Sequence, residues 1–233
     1  MTIDYLGHSG FLVETAEQLL LFDYFRGDLS LLEQKPTDKP LFVFASHAHS
    51  DHFNPQIFSL AGRRRSVKYV LSFDIKGNPS APADADAVYL DADESRELPG
   101  LGTVRTLLST DEGVAFLIDT GRETLFHAGD LHWWDWEGED SLWLAEQERV
   151  FKREIGKLAG LRLDAAFVVL DDRLEGSFAK GAAWFLTVCR PAHVFPMHFW
   201  KDRSVIERFK ALPEARADVV RILDTANETH WEI

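Results

Sequence analysis

The chain has 233 residues, of which 45% are hydrophobic and 27% charged, and this composition excludes a disordered or fibrous protein. Its 25 basic and 38 acidic residues give a net charge of −13, which repels phosphate backbones and anionic lipids and so disfavours nonspecific binding to nucleic acids or membranes. Cys189 is the only cysteine, so an internal disulfide and a cysteine-based metal site are excluded, and any metal ligands must be His, Asp or Glu.

The length and the absence of a linker-like segment predict a single domain over residues 1–233. The first residues lack a basic segment followed by an apolar one, and no apolar run approaches the roughly 18 residues of a membrane helix. We therefore expect a cytoplasmic protein.

The first half of the chain is predicted to consist mainly of β-strands. Strands are predicted over Thr2–Leu6, Phe11–Thr15, Leu19–Phe22, Leu41–Ala45, Val67–Leu71 and Ala87–Leu90. A short helix is predicted between Pro55, which favours a helix start, and Gly62, which favours a helix end.

The second half is predicted to mix strands and helices. Strands are predicted over Thr103–Leu108, Val114–Ile118, Thr124–Phe126, Ala165–Leu170 and His193–Pro196, and helices over Ser141–Leu158, Lys180–Arg190 and Ser204–Leu212. Strands followed by helices, twice over, favour two sheets that face each other with helices outside, which is an α/β sandwich.

Four potential metal ligands follow the predicted buried strand Leu41–Ala45 directly. They are His47, His49, Asp51 and His52. In an extended backbone, residues two apart point the same way, so His47 and His49 can share one metal while Asp51 and His52 turn toward a second position. Such a dense cluster has no purpose in packing, and we interpret it as a metal site.

Two further ligand types also stand at predicted strand ends. Asp130 follows Gly129 after the strand Thr124–Phe126, and His198 follows the strand that begins at His193. Either alone is weak evidence, because Gly-Asp is a common turn. Together with the first cluster they complete a ligand set.

These motifs, in this order, resemble the metallo-β-lactamase-fold hydrolase superfamily. The phrases Leu6-Gly7-His8-Ser9-Gly10 and His127-Ala128-Gly129-Asp130 are most similar to its L-ascorbate-6-phosphate lactonase-like branch. The resemblance implies a four-layer αβ/βα sandwich with the metal site at one edge between the sheets. It also implies that His47 and His49 bind a first metal, that Asp51, His52 and His198 bind a second, and that Asp130 bridges both.

One histidine that the superfamily usually places on the first metal is absent, since no histidine occurs between Phe53 and Phe126. Asp111 is one substitute ligand, Ser109 and Thr110 could instead hold a water, and His132 is a further substitute. The loss need not abolish catalysis, because a catalytic zinc works with three protein ligands and a water.

Several other residues have more than one open interpretation. His8 either lines the metal site as a supporting residue or is only a turn residue; Asp23 either orients a metal-bound histidine or caps a loop. Arg173 either binds a substrate phosphate or carboxylate or pairs with its acidic neighbours. The tryptophans that follow Asp130 form a substrate wall, the core or an interface between copies of the chain.

The leading hypothesis is a metal-dependent hydrolase whose metal-bound hydroxide, oriented by Asp51 as catalytic residue, attacks an ester, lactone or phosphodiester of a small metabolite. One or two divalent ions are expected, with Zn²⁺ favoured and Mn²⁺ or Fe²⁺ as alternatives because of the oxygen ligands. The competing hypotheses are a degenerate metal-binding or sensing protein of the same fold and an RNA or DNA phosphodiesterase.

Overall fold

The computed structural model describes residues 1–216 and 220–233, and it contains two mixed β-sheets flanked by helices. The first sheet has the order β14-β1-β2-β3-β4-β5-β6. Its strands are β1 (Thr2–Gly7), β2 (Gly10–Glu14), β3 (Leu19–Phe22), β4 (Leu41–Ala45), β5 (Val67–Ser72), β6 (Ala87–Leu90) and β14 (His230–Glu232). Strands β3 to β6 run parallel to one another.

The second sheet has the order β13-β12-β11-β10-β9-β8-β7. Its strands are β7 (Ser95–Leu98), β8 (Gly102–Leu108), β9 (Val114–Asp119), β10 (Thr124–His127), β11 (Ala165–Val169), β12 (His193–Met197) and β13 (Arg221–Ile222). Strands β10 to β13 are parallel, whereas β7 to β10 form an antiparallel meander.

The helices are α1 (Ser141–Gly156), α2 (Lys180–Val188) and α3 (Val205–Lys210). Short 3₁₀ helices cover Leu29–Gln34, Pro55–Gly62, Phe73–Ile75, Asp172–Ser177 and Pro213–Arg216. Among the described residues, no helix is long and apolar enough to cross a membrane.

The core explains why several strands are continuous apolar runs. In β3, Leu20 and Phe22 face the core between the two sheets, while Leu19 and Leu21 face a second core on the outer side of the first sheet. A strand buried on both faces has no polar side to expose, so it loses the alternation that marks a half-buried strand. The polar residues that follow these buried runs in the sequence therefore lie at the ends of the strands.

The predicted α/β sandwich is confirmed, with differences in individual elements. The predicted helix at Pro55–Gly62 is a 3₁₀ helix. Strand β7 was not predicted, because its sequence Ser-Arg-Glu-Leu exposes its first three residues at the sheet edge and carries no apolar alternation. The helix predicted over Lys180–Arg190 ends at Val188, since Cys189 is already extended ahead of Pro191.

Candidate metal centre

The first group of converging side chains consists of His47, His49, Asp111 and Asp130, whose ligand atoms all lie within 4.8 Å of one another. His47 Nε2 lies 3.0 Å from His49 Nδ1 and 3.7 Å from Asp130 Oδ2. His49 Nδ1 lies 4.0 Å from Asp111 Oδ2. Two ligands about 2.1 Å from one tetrahedral ion are about 3.4 Å apart, so these distances fit a shared ion.

The second group consists of His8, Asp51, His52 and His198. Asp51 Oδ2 lies 3.3 Å from His8 Nε2. Asp130 touches this group too, because its Oδ1 lies 3.2 Å from His52 Nε2 and 3.3 Å from His198 Nε2. The two oxygens of Asp130 thus face the two groups separately, which is the geometry that a bridging carboxylate needs.

Buried atoms without partners supply a test of whether a metal fits here. His8 Nε2, His52 Nε2 and Asp130 Oδ1 are fully buried, and none makes a hydrogen bond to another described residue. Buried polar atoms are paired as a rule, so three orphaned ligand atoms in one place lack a common partner. A divalent cation matches this set, because imidazole nitrogens and carboxylate oxygens are its usual ligands.

Neighbouring polar side chains hold the histidines in orientations that leave their facing nitrogens free. His52 Nδ1 lies 2.7 Å from Asp23 Oδ2, and Asp23 also accepts hydrogen bonds from the backbone and hydroxyl of Ser46. His198 donates through Nδ1 to Asp171 Oδ2 at 3.0 Å. Of the two roles open for Asp23, the structure shows the contact that orients a histidine.

Sequence reasoning did not identify Asp171 or Glu112 as parts of the site. Asp171 follows strand β11 after Leu170, so it occupies the same kind of strand-end position that had pointed to Asp130. Glu112 Oε2 lies 3.4 Å from His49 Nε2, the nitrogen of His49 that faces away from His47. Its only signal in the sequence was adjacency to Asp111.

Two glycines explain why the turn carrying Asp111 lies beside the histidines. A Cβ at Gly113 would collide with the carbonyl oxygen of Ser46, and one at Gly129 would lie 2.6 Å from the Ser46 Cβ. Both glycines have positive φ, +67° and +52°. The Val114 N–H also donates to the Ser46 carbonyl at 2.9 Å. The β8–β9 turn and the loop after β10 therefore dock against the end of β4.

Burial and neighbouring charges shift the pKa values in the site. Burial lowers the pKa of both His8 and His47 to about 4, so both rings are neutral at pH 7, as metal ligation requires. Burial opposes ionisation of Asp130, but His198 and His52 hold its pKa well below the ordinary value. Burial and the Asp130 charge raise the pKa of Asp111.

The other predicted substitutes for the missing histidine lie outside both groups. His132 is buried with its ring against Gly181 and Trp134, and its backbone N–H donates to Thr110 Oγ1 at 2.9 Å. That hydroxyl also contacts the His132 carbonyl, and Ser109 Oγ accepts from the Asp111 backbone. These hydroxyls are therefore engaged in shaping the turn.

A cavity of about 420 Å³ opens beside Asp111 and Asp130. Its other lining residues are Thr110, Trp134, Trp136, Trp143, Gln147 and Arg173. The tryptophans after Asp130 divide between two environments, because Trp133 is buried in the core while Trp143 is 38% exposed. Arg173 pairs with its acidic neighbour Asp171 and also lines the cavity, while its binding of a substrate anion stays a prediction.

The sequence profile of the beta-lactamase superfamily domain matches residues 2–139, more than half of the chain. The chain belongs to this superfamily. The matched stretch contains the cluster from His47 to His52, Asp111 and Asp130, whereas His198 lies beyond it.

Two similar proteins carry the name UPF0173 metal-dependent hydrolase. The protein from Pyrococcus furiosus is 23% identical to the present chain over 235 residues, and the match covers 94% of each of the two chains. The one from Opitutus terrae is 31% identical over 146 residues, which cover 56% of this chain and 63% of its own.

Among solved structures, Igni18, a metallo hydrolase from Ignicoccus hospitalis, superimposes with a TM-score of 0.68. It is 18% identical in sequence, and the match covers 100% of this chain and 98% of Igni18. At this identity the likeness establishes the fold of this superfamily member and leaves the reaction to be argued from the site.

Proposed function

We propose that the protein is a metal-dependent hydrolase that holds two divalent ions in adjacent groups joined by Asp130, and that it cleaves an ester, lactone or phosphodiester of a small metabolite. The observation that carries this proposal is the set of buried orphaned atoms around Asp130 Oδ1. The names of the two UPF0173 relatives support it.

In this proposal Asp111 takes the place of the missing histidine. It belongs to the first group with His47, His49 and Asp130, and a docked turn holds it there. His8 joins Asp51, His52 and His198 in the second group. Carboxylate oxygens suit Mn²⁺ and Fe²⁺ as well as Zn²⁺, so the proposal covers all three ions.

Bound divalent ions would lower the pKa of a coordinated water to about 7 and polarise the substrate oxygen under attack. Asp51 is the residue that we assign to orient the attacking water. Its side chain is 22% exposed while that of its neighbour His8 is 1% exposed, so Asp51 reaches solvent from within the second group. Burial opposes ionisation of Asp51, but the neighbouring His8 and His52 together outweigh it and lower the Asp51 pKa, which keeps this acceptor ionised at neutral pH.

Metal content per chain, measured by inductively coupled plasma mass spectrometry on untagged protein, tests the ligand assignment. We expect two ions for the wild type and one for Asp111→Ala, while Asp119→Ala, an exposed site at the end of β9, retains two. Two ions retained in Asp111→Ala would refute its role as a ligand.

Hydrolysis of a panel of esters, lactones and phosphodiesters tests the reaction. The panel includes lactones because the predicted resemblance to the lactonase-like branch is itself untested, and lactone hydrolysis would test it. Asp51→Ala and His198→Ala should lose both activity and bound metal. A fully loaded protein that is silent across the panel would favour a metal-binding or sensing role, and cleavage of a structured RNA alone would favour a nuclease.

A further inference from the structure

The cavity beside the metal groups carries a fixed positive charge. The Arg173 guanidinium donates through Nε and Nη2 to the carboxylate of Asp171, while Nη1 has no acceptor within residues 1–216 and 220–233. The guanidinium also lies over two indole rings, 5.4 Å from the centroid of Trp136 and 5.1 Å from that of Trp200. Its side chain is still 46% exposed.

This arrangement is preorganised for an oxyanion. Asp171 and the two rings restrict the rotamers of Arg173, so little conformational entropy is left to lose when a ligand binds. The ion pair with Asp171 engages only one edge of the guanidinium, and the remaining N–H groups are those that bind carboxylate or phosphate oxygens. Asp171 also accepts from His198, which fixes the charge close to the second group.

The same cavity offers a flat apolar surface. The rings of Trp134 and Trp136 are parallel, with an interplanar angle of 4° and centroids 5.9 Å apart. Trp143 lines the cavity from α1 and is 38% exposed. Trp134 itself is buried and Trp136 half-buried, so the exposed indole of Trp143 is the ring most available to bind an aromatic or other flat apolar group.

We propose that the substrate is a small organic anion in which Arg173 binds a nonreacting carboxylate or phosphate, while the tryptophans contact an aromatic or similarly flat group. This inference rests on the proposed function, because Asp111 and Asp130 line the same cavity. Carboxylate and phosphate substrates of this class have in common an oxyanion joined to a ring. A neutral aliphatic ester would use neither feature.

Binding of nonhydrolysable probes, followed by isothermal titration calorimetry, tests the inference. Phenylphosphonate and phenylacetate carry both features, methylphosphonate and acetate lack the ring, and benzyl alcohol lacks the charge. We expect each ring-bearing anion to bind the zinc-loaded protein about tenfold or more tightly than its ringless analogue or benzyl alcohol. Comparing the phosphonate with the carboxylate shows which oxyanion the site prefers.

Variants separate the two contacts. Arg173→Met should weaken binding of ring-bearing anions about tenfold or more, and Arg173→Lys should give an intermediate loss because it keeps the charge but not the planar fork. Trp143→Ala should weaken only the ring-bearing probes, and it leaves the contact with Asp171 untouched. Arg162→Ala is the matched control, since that arginine is 90% exposed and does not line this cavity.

Metal content of every variant is measured alongside. Unchanged affinity in Arg173→Met at equal metal content would mean that the metals alone hold the anion, and it would overturn the inference. Equal affinity for ringless anions would overturn the role of the tryptophans. If the protein takes up no metal but the chelator-treated form still shows the Arg173 and ring dependence, the cavity inference stands and the proposed hydrolase function fails.

Discussion

Substitution of Asp23 by asparagine tests the hydrogen bonds that support the site. Asp23 is fully buried and accepts from the Ser46 N–H at 2.8 Å, the Ser46 hydroxyl at 2.7 Å and His52 Nδ1 at 2.7 Å. Asparagine keeps the size, but its amide has only one acceptor oxygen. Whichever way the amide is turned, its NH₂ faces at least one of these donors.

The magnitude follows from the bonds that are lost. Hydrogen bonds to a charged group contribute about 1.5–3 kcal/mol each, so losing at least one at Asp23 should cost about 1.5–3 kcal/mol or more. An unfolding entropy of about 2.1 cal/mol/K per residue gives about 0.5 kcal/mol/K for 233 residues. Asp23→Asn should therefore lower Tm by at least about 3–6 °C in the metal-free protein.

Differential scanning calorimetry of chelator-treated protein measures this shift, and metal titration measures the accompanying loss of affinity, expected to be about 10- to 100-fold. Asp86→Asn is the control, because Asp86 is 65% exposed and its pairing with Lys68 contributes less than about 1 kcal/mol. If Asp23→Asn melted within about 2 °C of the wild type, the charge-assisted bonds would not have the assigned strength.

Two further predictions concern steric fit and thiol reactivity. Gly113→Ala should destabilise the protein by more than about 2 kcal/mol in urea unfolding, whereas Gly121→Ala should cost only about 1 kcal/mol, because both have positive φ but only the first would collide with a neighbour. Equal losses of stability in the two variants would show that the turn carrying Asp111 shifts to accommodate the added methyl group without cost. Burial raises the pKa of the Cys189 thiol to about 12, so Ellman's reagent at pH 8 should label it slowly in native protein and rapidly in urea; rapid native labelling would contradict this burial.

The fold was predictable because its signals are local. Buried strands such as β4 and β11 are short apolar runs, and the predicted ligands His47 and His49 follow within four residues of the end of β4. Strand β7 was missed because an exposed edge strand need not contain a hydrophobic pattern. The ligand roles stay predictions, although the structure brings the predicted residues of the first cluster together with Asp130 and His198.

Which of Asp111 and His132 lies beside the first histidines was not predictable, because it depends on contacts between distant parts of the chain. Asp111 lies beside His49 because Gly113 packs against Ser46, which is 67 residues earlier in the chain. His132 is only two residues from Asp130, yet the loop turns its ring toward α2. Spacing along the sequence does not reveal either orientation.

The two groups of candidate ligands differ in how far their side chains are exposed to solvent. In the first group the side chains of His49 and Asp111 are each 46% exposed, whereas His52 and His198 in the second are 0% and 2% exposed. An ion held by exposed side chains exchanges with solvent more readily, and the raised pKa of Asp111 means that protons compete for this ligand. Stepwise chelation followed by metal analysis should therefore remove one ion per chain well before the other, and Asp111→Ala should abolish the early phase alone. Loss of both ions in one step would show that the bridge through Asp130 makes them interdependent.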